Sequence, residues 1–352
     1  MSSTLKGRRT SSSNFSTRAT TTDQRKYSTF NPEIALDGMA KLYASPGITK
    51  LYGVIGRGRF GTVYHCRDEK RGGVAVKTFD MGVFFRPECI ELQELRHPNL
   101  VRMYRTLNEP TVCGMVLELC GRSLHDLLHT EYGRGIEVVA DPLHRLRAAL
   151  DVACALKYLH RKELCHCDVT SGHVFLSSSL RPGATEIMPV KLGDFMTLRK
   201  KDSDSMKLCT GSSIYMPPEE MHVSPTHVRS SFASDTYAFG ILLHEIISRT
   251  LPYHGHGLRE DPRLGLLVKT GLRPNVTDVP MDCHVSSKWG ASIRRKIIAC
   301  MEKCWLHEAS SRPSAADVVK ETKDILKDWA SIRFLLALGR SSSPESRSAV
   351  SA

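Results

Sequence analysis

The chain has 352 residues, of which 41% are hydrophobic, and a formal charge of +12. This length holds one large domain or two lobes with a sizeable core, and no apolar run approaches the ~20 residues of a membrane span. Much of the charge is local: residues 1–30 carry Lys6, Arg8, Arg9, Arg18, Arg25 and Lys26 against Asp23 alone and are dense in Ser and Thr. No aromatic residues are interleaved in a basic stripe, so no nucleic-acid partner is expected and the segment reads as a solvated, weakly ordered tail.

The first residues lack the apolar core of a secretory signal, and cytoplasmic residence is the expectation. The eleven cysteines are then expected as free thiols. Cys165-His166-Cys167 has no second Cys/His pair at zinc-site spacing, which argues against a structural zinc. Cys300 and Cys304 lie one helical turn apart and read as packed apolar groups.

In chain order, residues 1–47 form the basic tail, with a short helix possible in Pro32–Tyr43. Residues 48–119 show short β-branched runs broken by glycine (KLYGVIG, TVYHC, GVAVKTF, LVRMYRTL, CGMVLEL), with a helical stretch at Glu88–Arg96. Residues 121–336 are dominated by helical periods, as in PLHRLRAALDVACALKYLH and ASDTYAFGILLHEII. Residues 337–352 are a polar tail. The expected fold class is α+β and bilobal, with a small β-rich lobe followed by a larger helical one.

Residues 55–63 read IGRGRFGTV, with Gly56, Gly58 and Gly61 spaced G-x-G-x-x-G. Glycine lets the backbone approach a phosphate and leaves amides free to bond it. Alone the spacing also fits a dinucleotide fold or a plain hairpin. A dinucleotide loop would open a helix, whereas here TVYHC continues as a strand and Lys77 follows in VAVK. Strand, glycine turn, strand and strand with lysine resemble the nucleotide-covering flap of a protein kinase, and the stretch 50–335 resembles the eukaryotic protein kinase catalytic domain as a whole.

That resemblance implies ATP as cosubstrate, held by Ile55, Gly56, Arg57, Gly58, Arg59, Phe60, Gly61, Thr62 and Val63 with Ala75 and Lys77. Glu88 is the residue expected to pair with Lys77, counting back from His97. Pro87 favours a first helical position, so this helix is expected to begin at its own functional residue. Leu117 takes the place at the rear of the adenine pocket, Glu118 to Cys120 offer backbone groups to the base, and Phe175 lies beneath it.

Further along, His166-Cys167-Asp168 matches the family's catalytic loop, with Asp168 as the base for the attacking hydroxyl. Lys191-Leu192-Gly193-Asp194-Phe195-Met196 matches the metal-binding segment, with Asp194 expected to hold Mg2+. Tyr215 to Glu219 resembles the close of the activation segment, Asp235 the central-helix anchor of the catalytic loop, and Arg312 the partner of Glu219. The pairing of Cys304-Trp305 with Arg312-Pro313 points to the tyrosine-kinase-like branch, and the position of Ser212 favours Ser/Thr specificity.

Several positions depart from the family's pattern. Cys167 replaces an arginine that would bind a phosphorylated activation segment, where Ser203, Ser205 and Thr210 are candidate sites. Thr170 replaces a lysine near the γ-phosphate. Met196 replaces a glycine and removes its positive-φ freedom. His173 replaces the asparagine that supports a second metal and makes one hydrogen bond back to the loop, and an imidazole nitrogen suits Mn2+ better than Mg2+. Two functions stay open: a slow Ser/Thr protein kinase acting on protein substrates, or a pseudokinase that binds nucleotide and docks signalling partners.

Overall fold

The computed structural model describes residue 42 and residues 45–58, 61–79, 92–109, 112–133, 136, 141–178, 189–201, 213–221, 231–257, 263–280 and 287–341. Of the helix expected over Glu88–Arg96, residues 88–91 lie outside the described residues and the remainder holds a single 3-10 turn, Leu92–Glu94, rather than α-helix. Loop residues Arg59 and Phe60, and position Ser212 with the phosphorylation candidates before it, also lie outside.

The N-terminal lobe is built on β1 (Ile48–Gly58), β2 (Gly61–Asp68), β3 (Gly72–Phe79), β4 (Met103–Glu109) and β5 (Val112–Glu118). They form a five-stranded antiparallel sheet in the order β1-β2-β3-β5-β4. Strand alternation divides their side chains between two cores. Val74, Val76 and Val116 join Leu42, Ile48, Leu51 and Tyr64 in the cluster above the sheet. Alternation therefore turns Ala75 and Lys77 to the opposite face, beside Met115 and Leu117, which pack toward the main core. Leu42 and Ser45 fall in the stretch read from sequence as tail, yet both are buried. Leu42 packs into the cluster formed by the strands, a long-range relation that carries no local signal.

The third glycine of the loop, Gly61, has φ +143°, and an added Cβ would lie 1.8 Å from the Thr78 carbonyl oxygen. The first residue of β2 thus sits directly on the β3 backbone, and only glycine fits there.

The C-terminal lobe begins with α1 (Leu124–His129), capped by a reciprocal Ser123–Asp126 capping box, and α2 (Pro142–His160), whose Asp141 cap accepts from the Leu143 amide at 2.8 Å. Short strands β6 (Leu164–Cys165), β7 (Val174–Leu176), β8 (Val190–Leu192) and β9 (Arg199–Lys200) follow, with β6 paired to β9 and β7 to β8. Helix α3 (Phe232–Ser248) is buried along nearly its whole length, as expected of a helix with apolar residues all round. Helices α4 (Leu264–Lys269), α5 (Ser287–Cys304) and α6 (Ala315–Ser341) follow; α3 packs against α2 and α5, and α6 against the same two helices. Gly240 permits the close crossing of α3 and α5, where a Cβ would meet that of Cys304 at 2.8 Å. Helix α6 runs through Ser341, into the segment read from sequence as a polar tail from 337. No helix among the described residues is long and apolar enough to cross a membrane.

Candidate active site

The cleft between the lobes is organised from below by Asp235, in the first turn of α3 and fully buried. Its carboxylate accepts the amides of His166 and Cys167, each at 2.8 Å, and lies 2.9 Å from His160 Nε2. Burial works against the charge. The His160 hydrogen bond and the neighbouring imidazoles outweigh it, leaving the Asp235 carboxyl below its usual range. Two consecutive amides can meet one carboxylate because Cys167 adopts φ 64°, an uncommon conformation for a residue with a side chain.

Asp235→Ala should strand two buried amides and His160, costing ~3–5 kcal/mol and lowering the melting temperature by roughly 10 °C. A calorimetric scan checks this. Because the folded carboxyl titrates below its unfolded value, its contribution is whole above about pH 4. It is lost as pH falls through the lowered folded value.

His166 is fully buried, and its ring is fully used. Nδ1 accepts the Asp168 amide at 3.3 Å, and Nε2 donates to the Gly193 carbonyl at 2.9 Å. Burial pushes its pKa below the ordinary histidine value, so the ring is neutral. With both nitrogens engaged and the Cys167 thiol directed to the Cys165 carbonyl at 3.7 Å, this stretch positions the loop and offers no metal site. The same histidine meets Phe195 edge-on, with ring centroids 6.0 Å apart. Phe195 is buried in the main core, and Asp194 beside it takes φ 57°. Met196, read from the sequence as lacking the positive-φ freedom of glycine, needs none here, since it lies in a short 3-10 turn, Phe195–Thr197.

Turned this way, Asp194 faces Lys77. The Lys77 ammonium donates to Asp194 Oδ1 at 2.6 Å, joining the two lobes. Desolvation would raise the Asp194 pKa, but the charges of Lys77 and His173 overcome it and hold the carboxyl at about 2. It is an anion at every working pH.

His173 lies between the two acidic residues. Its Nδ1 is 3.0 Å from the Asp168 carbonyl oxygen and 3.3 Å from Asp168 Oδ2; its Nε2 is 3.3 Å from Asp194 Oδ2. A carbonyl can only accept, so Nδ1 carries a proton and donates. The hydrogen bond back to the loop, expected from the sequence to be missing without asparagine, is made by the imidazole instead. Nε2 then faces a carboxylate oxygen: in the protonated ring it donates to that oxygen, and in the neutral ring its lone pair and the oxygen can both be taken by one cation. Asp194 Oδ2 and His173 Nε2 form a donor pair that fits a divalent metal, with nitrogen in place of a second oxygen.

The positions that the resemblance assigns to the nucleotide are arranged around this centre. Ala75 and Lys77 are buried on β3, and Phe175 on β7 is half-buried. The Glu118 amide donates to the Arg102 carbonyl at 2.8 Å, so what Glu118 has to offer a base is its own carbonyl. Its carboxylate pairs with Lys191 at 3.1 Å. Burial pushes the Cys120 thiol up to about 12, leaving it a neutral wall group. Ile55 is exposed at the edge of β1, with Gly56, Arg57 and Gly58 completing that strand and Thr62 and Val63 the next.

Below the cleft, Arg312 grips Glu219 through two parallel hydrogen bonds of 2.7 and 2.8 Å and donates to the carbonyls of Ala233, Leu306 and His307. This bidentate pair ties the segment after the active site to α3 and α6. His160, Lys191 and Glu245 carry further polar links that the sequence reading missed.

Residues 49–322 match the protein kinase domain family. Among curated proteins, the chain is 31% identical over 295 residues to the dual specificity protein kinase shkC of Dictyostelium discoideum, covering 79% of this chain and 51% of that protein. It is 29% identical to the RAF proto-oncogene serine/threonine-protein kinase of Xenopus laevis (66% of this chain, 36% of the other). It is 28% identical to the human serine/threonine-protein kinase A-Raf (73% and 40%). The chain belongs to the eukaryotic protein kinase family, in the tyrosine-kinase-like branch with the Raf kinases. It spans about half or less of the length of these relatives.

Proposed function

We propose that this chain is an ATP-dependent protein kinase that transfers the γ-phosphoryl group to Ser or Thr of protein substrates, with its catalytic domain over 48–336 between two tails. The observation that carries the reading is the placement of His173: one ring nitrogen holds the Asp168 backbone at 3.0 Å while the other faces Asp194. The imidazole thereby takes on both tasks of the asparagine that the family keeps there, orienting the base and completing a metal ligand pair.

In this reading Asp168 orients the substrate hydroxyl and takes its proton. Lys77, buried and already charged against Asp194, is placed to hold phosphate oxygens. Glu88 is the proposed partner that steadies Lys77. The glycine loop, Ile55–Val63, covers the phosphates with backbone amides, and Ala75, Glu118, Cys120 and Phe175 enclose the base. Asp194, with His173, would hold a divalent cation, Mg2+ or Mn2+, whose chemistry is to neutralise charge on the phosphates. The names of the Raf relatives favour Ser/Thr as acceptor.

The second reading, a nucleotide-binding scaffold that docks signalling partners, draws on the direct Lys77–Asp194 pair and the imidazole between the two acids. In it, the groups satisfy one another and stay closed to chemistry. Two measurements on the purified chain separate the readings. ATP with either metal should raise the melting temperature, since a ligand of the native state stabilises it, and Lys77→Met should remove most of that rise. Incorporation of labelled phosphate into a Ser/Thr-containing acceptor, with a Tyr-only acceptor as control, then supports the enzyme. A thermal shift with no incorporation selects the scaffold, and no shift at millimolar ATP with either metal contradicts both.

A further inference from the structure

Away from the nucleotide cleft, on the far side of the catalytic loop, two histidines of α1 meet the buried acid of α3. His125 and His129 are four residues apart, so they share one helical face, and their ring centroids are 5.0 Å apart. Opposite them stands Glu245, whose side chain is fully buried. His129 Nε2 is 2.8 Å from Glu245 Oε1. One ligand atom from each of the three residues lies within 4.8 Å of the other two. We infer that His125, His129 and Glu245 form a site for a transition-metal dication of the zinc class.

Three features support this assignment. The donor set, two imidazole nitrogens and one carboxylate, is one that zinc takes in three-ligand sites with an open fourth position. The carboxylate is also oriented from behind: Ser171 Oγ donates to Oε1 at 2.7 Å and the Tyr215 hydroxyl donates to Oε2. Hydroxyl and carboxylate partners of this kind fix metal ligands and are part of the affinity of such sites. Finally, a fully buried carboxylate needs compensating positive charge. Among the described residues, the charge partner of Glu245 within ion-pair distance is an imidazole rather than a lysine or arginine.

A dication between neutral imidazoles supplies that charge without holding protons on two rings in contact. Zinc–ligand bonds of ~2.0–2.2 Å require the three donors to draw closer than their present spread. The His125 ring, 3.5 Å from Ser171 Oγ through Nδ1, would have to turn toward Glu245 for this. Both histidines are half-buried, which leaves a route from solvent.

The location gives the site a consequence. Ser171 follows Asp168 closely in the catalytic loop, and Tyr215 lies in the segment leading to Glu219. One ion would therefore clamp α1, the loop and that segment to α3. This holds whether the cleft transfers phosphate or only binds nucleotide.

The test is metal binding by the full chain after treatment with a chelator. Co2+ should bind at one equivalent with the visible absorption of nitrogen and oxygen ligands, and Zn2+ should displace it and raise the melting temperature. Asp194→Asn should retain this equivalent, which separates it from the nucleotide cleft. His125→Asn should weaken Zn2+ binding by at least ~10–100-fold. Each histidine variant is read beside its metal-free melting temperature, because both histidines also make contacts in the metal-free fold, His129 to Glu245 and His125 to Ser171. Three results would overturn the assignment: no stoichiometric binding, a thiolate charge-transfer band showing that cysteines hold the ion, or affinity unchanged in His125→Asn.

Discussion

Asp168→Asn is expected to lower phosphate incorporation by about 10²–10⁴-fold while the melting temperature and its rise with ATP stay nearly unchanged. The backbone of residue 168 is held independently of its carboxylate. Its amide donates to His166 Nδ1 and its carbonyl accepts from His173 Nδ1, and both bonds survive the substitution. The amide side chain is nearly isosteric with the acid but cannot take a proton from a hydroxyl. The loss therefore reports the base and not a displaced loop. Steady-state incorporation, measured beside thermal unfolding with and without ATP, gives both readouts from one preparation. A variant that incorporates phosphate as fast as the native chain would remove Asp168 from the proposed chemistry.

Much of this site could be read from the sequence because its parts are local patterns. Strand alternation sends Lys77 to the cleft face of β3, and glycine at 61 answers a backbone approach that no side chain survives. The Asp235 anchor and the Arg312–Glu219 pair likewise sit in short stretches whose family resemblance carries their partners. Other contacts have no local signature. His160 reaches Asp235 across 75 residues and His129 reaches Glu245 across 116. In sequence each is an ordinary polar residue on a helix. Leu42 lies ahead of the first strand, and its burial comes from a cluster with side chains of β1, β2, β3 and β5, most of them distant in sequence.

His173 shows the limit of reasoning from residue type. An imidazole in place of an amide reads as the loss of one hydrogen bond and one oxygen ligand. A histidine ring nevertheless has two nitrogens directed about opposite ways, and here one meets the Asp168 carbonyl while the other faces Asp194. Met196 shows the same limit in the backbone: the freedom lost with glycine is not used at 196, and the left-handed residue is Asp194, a type that tolerates it.

The central claim is that His173 works in place of asparagine, and its two nitrogens make distinct predictions. His173→Leu removes both the hydrogen bond to Asp168 and the donor facing Asp194. By the usual scale for a lost metal-site partner, activity should drop by at least ~10–100-fold. His173→Asn restores an amide that can donate to the Asp168 carbonyl and present oxygen to the metal. Because imidazole nitrogen favours Mn2+ over Mg2+ and amide oxygen suits Mg2+, the native chain should work better with Mn2+, and His173→Asn should raise the Mg2+-dependent rate. The most direct measurement is labelled-phosphate incorporation by the native chain, His173→Leu and His173→Asn, each with Mg2+ and with Mn2+. The account predicts a native preference for Mn2+, a shift toward Mg2+ in His173→Asn and near loss of activity in His173→Leu. A native chain and His173→Leu variant of equal activity, or no incorporation in any combination, would contradict it.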